Sequence, residues 1–210
     1  MTAATNLVPA AFWLLPCAAD ARRLQEIIDT LALAHGAPLF EPHVTLHVTA
    51  CPADVDIEGV LARLADQHAA LTLAALATDH SEAYYKALFV NLSCELEDGP
   101  GLLALRRELV GQLLDAWRAP AEPMKNGTPA PAGPRADAAR ELATYAFQPH
   151  VSLLYGDLPG QSRAGLASHH DLHGRTLRFD RIAAVRPAPG HRDLTRVAHW
   201  EVYGHRRLRD

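Results

Sequence analysis

Apolar positions along the chain recur with a period of two in some stretches and of three to four in others, and the changes of rhythm mark its elements. Ala10 to Leu15 reads as a strand closed by Pro16. Leu24, Ile27, Ile28 and Leu31 then share one face of a helix, with Asp20 placed to cap its start and Gly36 to end it. A strand over roughly His43 to Thr49 follows, and then a helix over about Asp56 to Ala70, carrying Ile57, Val60, Leu61 and Leu64. Leu71 to Ala77 reads as another strand, and so does Tyr85 to Cys94, where Leu88, Val90 and Leu92 alternate. Gly101 to Arg118 is predicted as a helix lined by Leu102, Leu105, Leu109, Leu113 and Trp117.

Ala119 to Arg135 is rich in Pro and Gly and reads as a surface loop. A short helical piece, Asp137 to Leu142, leads to a further strand at His150. Thr176 to Val185 and Val197 to His205 finish the chain as strands, joined by a turn region at Pro187-Ala188-Pro189-Gly190. The order strand, helix, strand thus occurs twice, around the segments that begin at His43 and His150. This implies an α+β fold of two similar lobes facing a central cleft, with an antiparallel sheet in each and helices outside. The whole chain, 1–210, is expected to be a single domain with its lobes interleaved.

Composition narrows the class. The 49% apolar and 21% charged fractions are those of an ordinary globular protein, and no run approaches a membrane span. A net charge of -4 and only two lysines, Lys86 and Lys125, give no global basic field for long nucleic acid. Cys17, Cys51 and Cys94 are widely spaced, so neither a disulfide framework nor a zinc site is expected and a cytoplasmic setting is the simplest. Leu7 to Ala19 resembles the apolar part of a secretory leader, but no Lys or Arg precedes Arg22, and it is read as a buried first strand.

The chemistry lies in two pentads, Pro42-His43-Val44-Thr45-Leu46 and Pro149-His150-Val151-Ser152-Leu153. A strand alternates its side chains, so each His shares a face with the hydroxyl residue two positions on. Two such strands facing each other bring two imidazoles and two hydroxyls round one cavity. One imidazole can activate water, the other can protonate a leaving oxygen, and the hydroxyls can hold phosphoryl oxygens. That set suits cleavage of a phosphodiester without a metal or cofactor.

On these pentads, with Phe12-Trp13-Leu14-Leu15-Pro16, Phe40-Glu41 before the first and Leu154-Tyr155 after the second, the chain resembles the two-histidine (2H) phosphoesterase superfamily. Within it the likeness is to the cyclic phosphodiesterase branch of plants and yeast, and Tyr84-Tyr85-Lys86 stands where that branch has aromatics. The resemblance implies His43 and His150 as the acid/base pair and Thr45 and Ser152 as phosphate-binding hydroxyls. It also implies Trp13, Tyr85 and Tyr155 as pocket walls. By strict alternation Tyr155 faces away from His150, so it reaches the pocket only if the strand ends or bulges near Leu154.

The expected reaction is hydrolysis of a 2′,3′-cyclic phosphate, or a similar strained cyclic phosphodiester, of a small nucleotide, with His150 as base and His43 as acid. The alternatives are an RNA-end cyclic phosphodiesterase or ligase-like enzyme, and a non-catalytic module that binds a cyclic nucleotide. A monomer with no membrane partner is expected. His47 and Thr49 extend the face of His43, and His47 is read as a cleft-edge or exposed residue. His169, His170 and His173 cluster, yet no Cys or acidic residue completes a metal set, and they are read as surface histidines.

Overall fold

The apolar run near the start becomes the strand around which the fold closes. The computed structural model describes residues 7–94, 101–116, 147–187 and 200–210. In it β1 (Leu7–Pro16) lies between β2 (Val44–Pro52) and β6 (Thr176–Pro187), antiparallel to both. Phe12 and Leu14 enter the main core, while Ala11, Trp13 and Leu15 pack on the other face with Ala183, Val185 and Trp200. Cover on both faces explains why β1 reads as a continuous apolar segment.

Helix α1 (Ala18–His35) buries Leu24, Ile28 and Leu31. It ends as expected at Gly36, whose φ of 62° is the left-handed conformation, and Ala37 N–H closes the motif on the Ala32 carbonyl at 3.0 Å. Its start corrects the expectation for Asp20. Cys17 is the capping residue, and Asp20 sits in the first turn, where its carboxylate accepts the N–H of Arg178 in β6 at 2.8 Å. Helix α2 (Ile57–Gln67) does begin at the expected cap, the Asp56 side chain accepting Gly59 N–H at 2.9 Å.

Strand β3 (Leu71–His80) leads to a departure from the predicted strand Tyr85 to Cys94. Tyr84–Lys86 is a single 3₁₀ turn, and the strand β4 is only Leu88–Leu92. The carbonyls of Tyr84 and Tyr85 are taken by Gly156 N–H and the Ser152 hydroxyl, so they cannot join a ladder. Helix α3 (Leu102–Ala116) presents the expected leucines inward, and β5 is His150–Leu154. Helix α4 (Gly160–His169) has no counterpart in the predicted elements. It has no capping side chain and buries only Arg163 and Ala167, so apolar spacing carries no trace of it. The loop expected at 119–135, the piece at Asp137 to Leu142, Trp117 and residues 188–190 of the last turn lie outside the described residues.

Strand β7 (Trp200–Arg207) flanks β6. The seven described strands run in the order β1-β2-β5-β4-β3-β6-β7, every named pairing is antiparallel, and a further β1–β6 pairing closes the circuit. The α+β class is as expected, and the strands of the two halves are joined into one sheet. Where β2 meets β5 the join is a single residue pair, Val44 opposite Val151. Those are the equivalent valines of the two pentads, so a local two-fold relation passes between them.

Candidate active site

Each pentad builds its part of the site by the same local moves. In Glu41-Pro42-His43 the ring Nδ1 lies 2.7 Å from the Glu41 carbonyl, and in Gln148-Pro149-His150 it lies 2.9 Å from the Gln148 carbonyl. The intervening proline fixes the backbone that brings the carbonyl two residues back onto the ring. A carbonyl only accepts, so each Nδ1 carries a proton, and in the neutral ring Nε2 is left as a free base. The valine that follows is fully buried, Val44 in one copy and Val151 in the other. The hydroxyl residue then lies opposite an aromatic of the neighbouring strand, Thr45 across from Trp13 and Ser152 across from Phe89.

The last residue of each pentad is a β-bulge. The register of β1 with β2 passes from Trp13–Thr45 to Phe12–His47, leaving Leu46 unpaired. That of β4 with β5 passes from Phe89–Ser152 to Leu88–Leu154, leaving Leu153 unpaired. A bulge adds one residue to one strand and reverses which face the following side chains occupy. The expectation for His47 and Thr49 is corrected for this reason. His47 pairs with the core residue Phe12 and is only 5% exposed, and Thr49 pairs with Ala10, so neither continues the His43 face. The bulge carbonyl of Leu46 is satisfied by Nε of the buried Arg106 at 2.9 Å. Burial first, and the Arg106 charge second, lower the His47 pKa to about 4.

Tyr155 lies beyond the second bulge. It is 3% exposed and stacked on Phe40 with ring centroids 3.9 Å apart, in a cluster with Ile28 and Tyr84. Burial raises its phenol well above the usual range, with a hydrogen bond to Ser152 opposing that shift. Its link to the site therefore runs through Ser152. Tyr85 is 53% exposed, and its contribution is its backbone carbonyl, which accepts from the Ser152 hydroxyl at 3.0 Å.

Around the histidines the copies differ. His43 is buried and lies flat on Trp13, with centroids 3.8 Å apart and planes 11° from parallel. Trp13 in turn stacks on Trp200 at 6.3 Å, and the Trp200 indole N–H has no hydrogen-bond partner among the described residues. Burial lowers His43 to about 4, the Glu41 hydrogen bond working against it and the field of His150 adding to it. His150 is partly exposed and meets the Phe89 ring edge-on at 5.4 Å. Its pKa is also lowered, by burial and then by the charge of Lys86, with the Gln148 hydrogen bond opposing. The Lys86 ammonium lies over Phe89, 4.1 Å from the ring centre.

Trp200, stacked on Trp13, and Phe89, edge-on to His150, stand by the candidate site and were missed by the sequence reading. Phe89 was legible: in a strand whose Leu88, Val90 and Leu92 face the core, residues 89 and 91 face the other way. Trp200 carries no local signal, since its place depends on β7 pairing with β6. Among the described residues no group of three His, Cys, Asp or Glu gathers as metal ligands. His169 and His170 end α4, their rings edge to face, while His173 bonds to the Leu76 carbonyl. No described helix is long and apolar enough to cross a membrane.

Comparison with known proteins places the chain in a family and a fold. A family described as "Cyclic phosphodiesterase-like protein" matches residues 8–181. Among solved structures, TT0787 of Thermus thermophilus is 16% identical, with 96% of this chain and 98% of that chain covered and a TM-score of 0.56. E. coli LigT complexed with 3′-AMP is 17% identical, with 97% and 99% covered and a TM-score of 0.50. At such identities the likeness is one of fold. No curated protein matches the chain in sequence.

Proposed function

The chain belongs to the cyclic phosphodiesterase-like family of two-histidine phosphoesterases, and on that footing we propose that it hydrolyses the 2′,3′-cyclic phosphate of a small nucleotide to a monoester. The observation that carries this reading is the crossed placement of two tautomer-locked histidines about the Val44–Val151 pair. One Nε2 takes a proton from water as the water oxygen bonds to phosphorus. The other imidazole, protonated, gives its proton to the ring oxygen as the P–O bond breaks. The released ring strain and in-line positioning supply the rest, and no step calls for a metal.

The environments favour His43 as base and His150 as acid, the reverse of the assignment expected from sequence. Burial against Trp13 keeps His43 unprotonated, whereas the more open His150 gains a proton more readily once an anionic phosphodiester offsets Lys86. Thr45 is half-buried beside these rings with its hydroxyl unengaged by any described residue, and it serves as donor to a phosphoryl oxygen. Trp13, Trp200 and Phe89 form an apolar wall that suits one base or ribose. Net charge of -4 favours a mononucleotide over an RNA end.

The test is hydrolysis of the four nucleoside 2′,3′-cyclic monophosphates beside short RNAs ending in a cyclic phosphate, across a range of salt. Turnover of the mononucleotides that equals or exceeds that of RNA, and varies little with salt, is expected. Faster RNA cleavage that collapses as salt rises would replace this reading with an RNA-end enzyme.

A further inference from the structure

The seam between the two pentads is thin. Strands β1 and β2 pair along the whole of β2, from Leu7–Pro52 to Leu14–Val44, but among the described residues β2 and β5 meet only at Val44–Val151. A single residue pair fixes a point of contact and does little to fix the angle between two strands. Each histidine stands one residue before its valine, so a small rotation at this seam changes their separation. Two proton transfers on one phosphate tolerate little such freedom.

Arg106 of α3 reaches both sides of the seam. It is 5% exposed, and its Nε donates at 2.9 Å to the carbonyl of Leu46, the bulge that closes the first pentad. Its guanidinium also lies over the Phe147 ring, 4.9 Å from the ring centre. Phe147 opens the approach to the second pentad and packs against the main core. The next residue, Gln148, supplies the carbonyl that holds His150 Nδ1. Because β2 and β5 are antiparallel, Leu46 and Phe147 lie toward the same end of the seam, where the ladder has stopped. A guanidinium is planar, with donors round its rim and flat faces, so one group serves the carbonyl by its edge and the ring by its face. An apolar side chain there would avoid the cost of burying a charge and would leave the bulge carbonyl without this donor. The charge is felt at the bulge, where it is the second cause, after burial, of the low pKa of His47.

We propose that Arg106 is a positioning residue of the phosphodiester site, clamping the end of the first pentad to the approach of the second so that His43 and His150 keep their spacing. For its part in a reaction this rests on the function proposed above, but its first test needs no turnover. The ring nitrogens of isotope-labelled histidine are followed by NMR in the wild type, Arg106→Met, Phe147→Leu and the double variant. The parameters kcat and KM on a 2′,3′-cyclic nucleotide are measured beside them.

Arg106→Met should shift the His150 ring away from the Nδ1–H form, Phe147→Leu should do the same, and the double variant should match Arg106→Met. A residue that only held α3 in the core would change stability and leave that ring as it is. Loss of spacing should lower kcat about tenfold or more with KM within about threefold of wild type, since the groups that bind substrate remain. Where Arg106→Met does not keep its fold, Arg106→Lys takes its place and should give the same shift in weaker form, because lysine can reach a carbonyl but has no flat face for Phe147. An unchanged His150 ring in the folded Arg106 variant, independent effects of Arg106 and Phe147, or a KM that rises as much as kcat falls would each overturn the assignment. The expected ring shifts in a protein that cleaves no cyclic phosphate would overturn the proposed reaction and leave the clamp standing.

Discussion

Set side by side, the two pentads share a backbone and differ in what surrounds it. Both use a proline to bring a carbonyl onto the His Nδ1, both bury the next valine, and both bulge at the final leucine. Yet His43 is sealed against Trp13 while His150 is partly open beside Phe89 and Lys86. Thr45 is unengaged by any described residue, whereas Ser152 is tied to Tyr85. Repetition of the backbone places two like groups about the Val44–Val151 pair, and asymmetry of the environment is what can give those groups opposite jobs. Acid/base catalysis by a matched pair needs both, since two identical imidazoles would titrate alike.

The sharpest way to break this comparison is to remove each histidine and change the leaving group. His43→Ala and His150→Ala should each lower kcat/KM on a 2′,3′-cyclic nucleotide by about 10²-fold or more, with the fold retained. On a p-nitrophenyl phosphodiester, whose leaving group needs no proton, His150→Ala should recover most of its loss and His43→Ala should not. The opposite pattern would restore the assignment of His150 as base.

The hydroxyls should differ by less. Thr45→Ala removes the proposed donor to the phosphoryl group and should cost roughly tenfold or more in kcat. Ser152→Ala should cost less, since the Ser152 hydroxyl is shared with the Tyr85 carbonyl. Equal losses in kcat would return both residues to the same role.

The pH profile should be a bell displaced to the acid side. Both rings are held below the ordinary 6.5, His43 at about 4. At low pH the base is protonated and kcat/KM falls; at high pH the acid has lost its proton and kcat/KM falls again. The maximum is therefore expected between about 4 and 6.5. A maximum above 7 would contradict the burial argument.

Stability supplies the smallest and most general effect. His43 and His47 bind a proton less readily folded than unfolded, so their contribution is present above 6.5 and is lost as pH falls toward 4. At about 1.4 kcal/mol per unit, each withdraws on the order of 2–3 kcal/mol by pH 4. His47→Leu, which leaves His43 and His150 intact, should unfold less readily than wild type on acidification, followed by urea denaturation at successive pH values.

The elements around the pentads were legible because periodic apolar residues and local caps determine them: Asp56 and Gly36 behave as read. The two histidines were legible because one pattern occurs twice. What could not be read comes from pairing between distant segments. The bulges at Leu46 and Leu153 exist only in the register of β2 against β1 and of β5 against β4, and they turn His47 inward and carry Tyr155 to Phe40. The turn at Tyr84–Lys86 forms because Ser152 and Gly156 occupy its carbonyls, and neither is near in sequence. Helix α4 lacks both a capping side chain and an apolar face.

The most direct measurement is the hydrolysis of 2′,3′-cyclic AMP in excess EDTA by the wild type, the two single histidine variants and the double variant. If His43 and His150 act as one unit without a metal, the wild type is fully active, each single variant loses about 10²-fold or more, and the double variant loses little beyond either single. Loss of wild-type activity in EDTA with recovery on adding a divalent metal, or single losses that multiply in the double variant, would contradict the account.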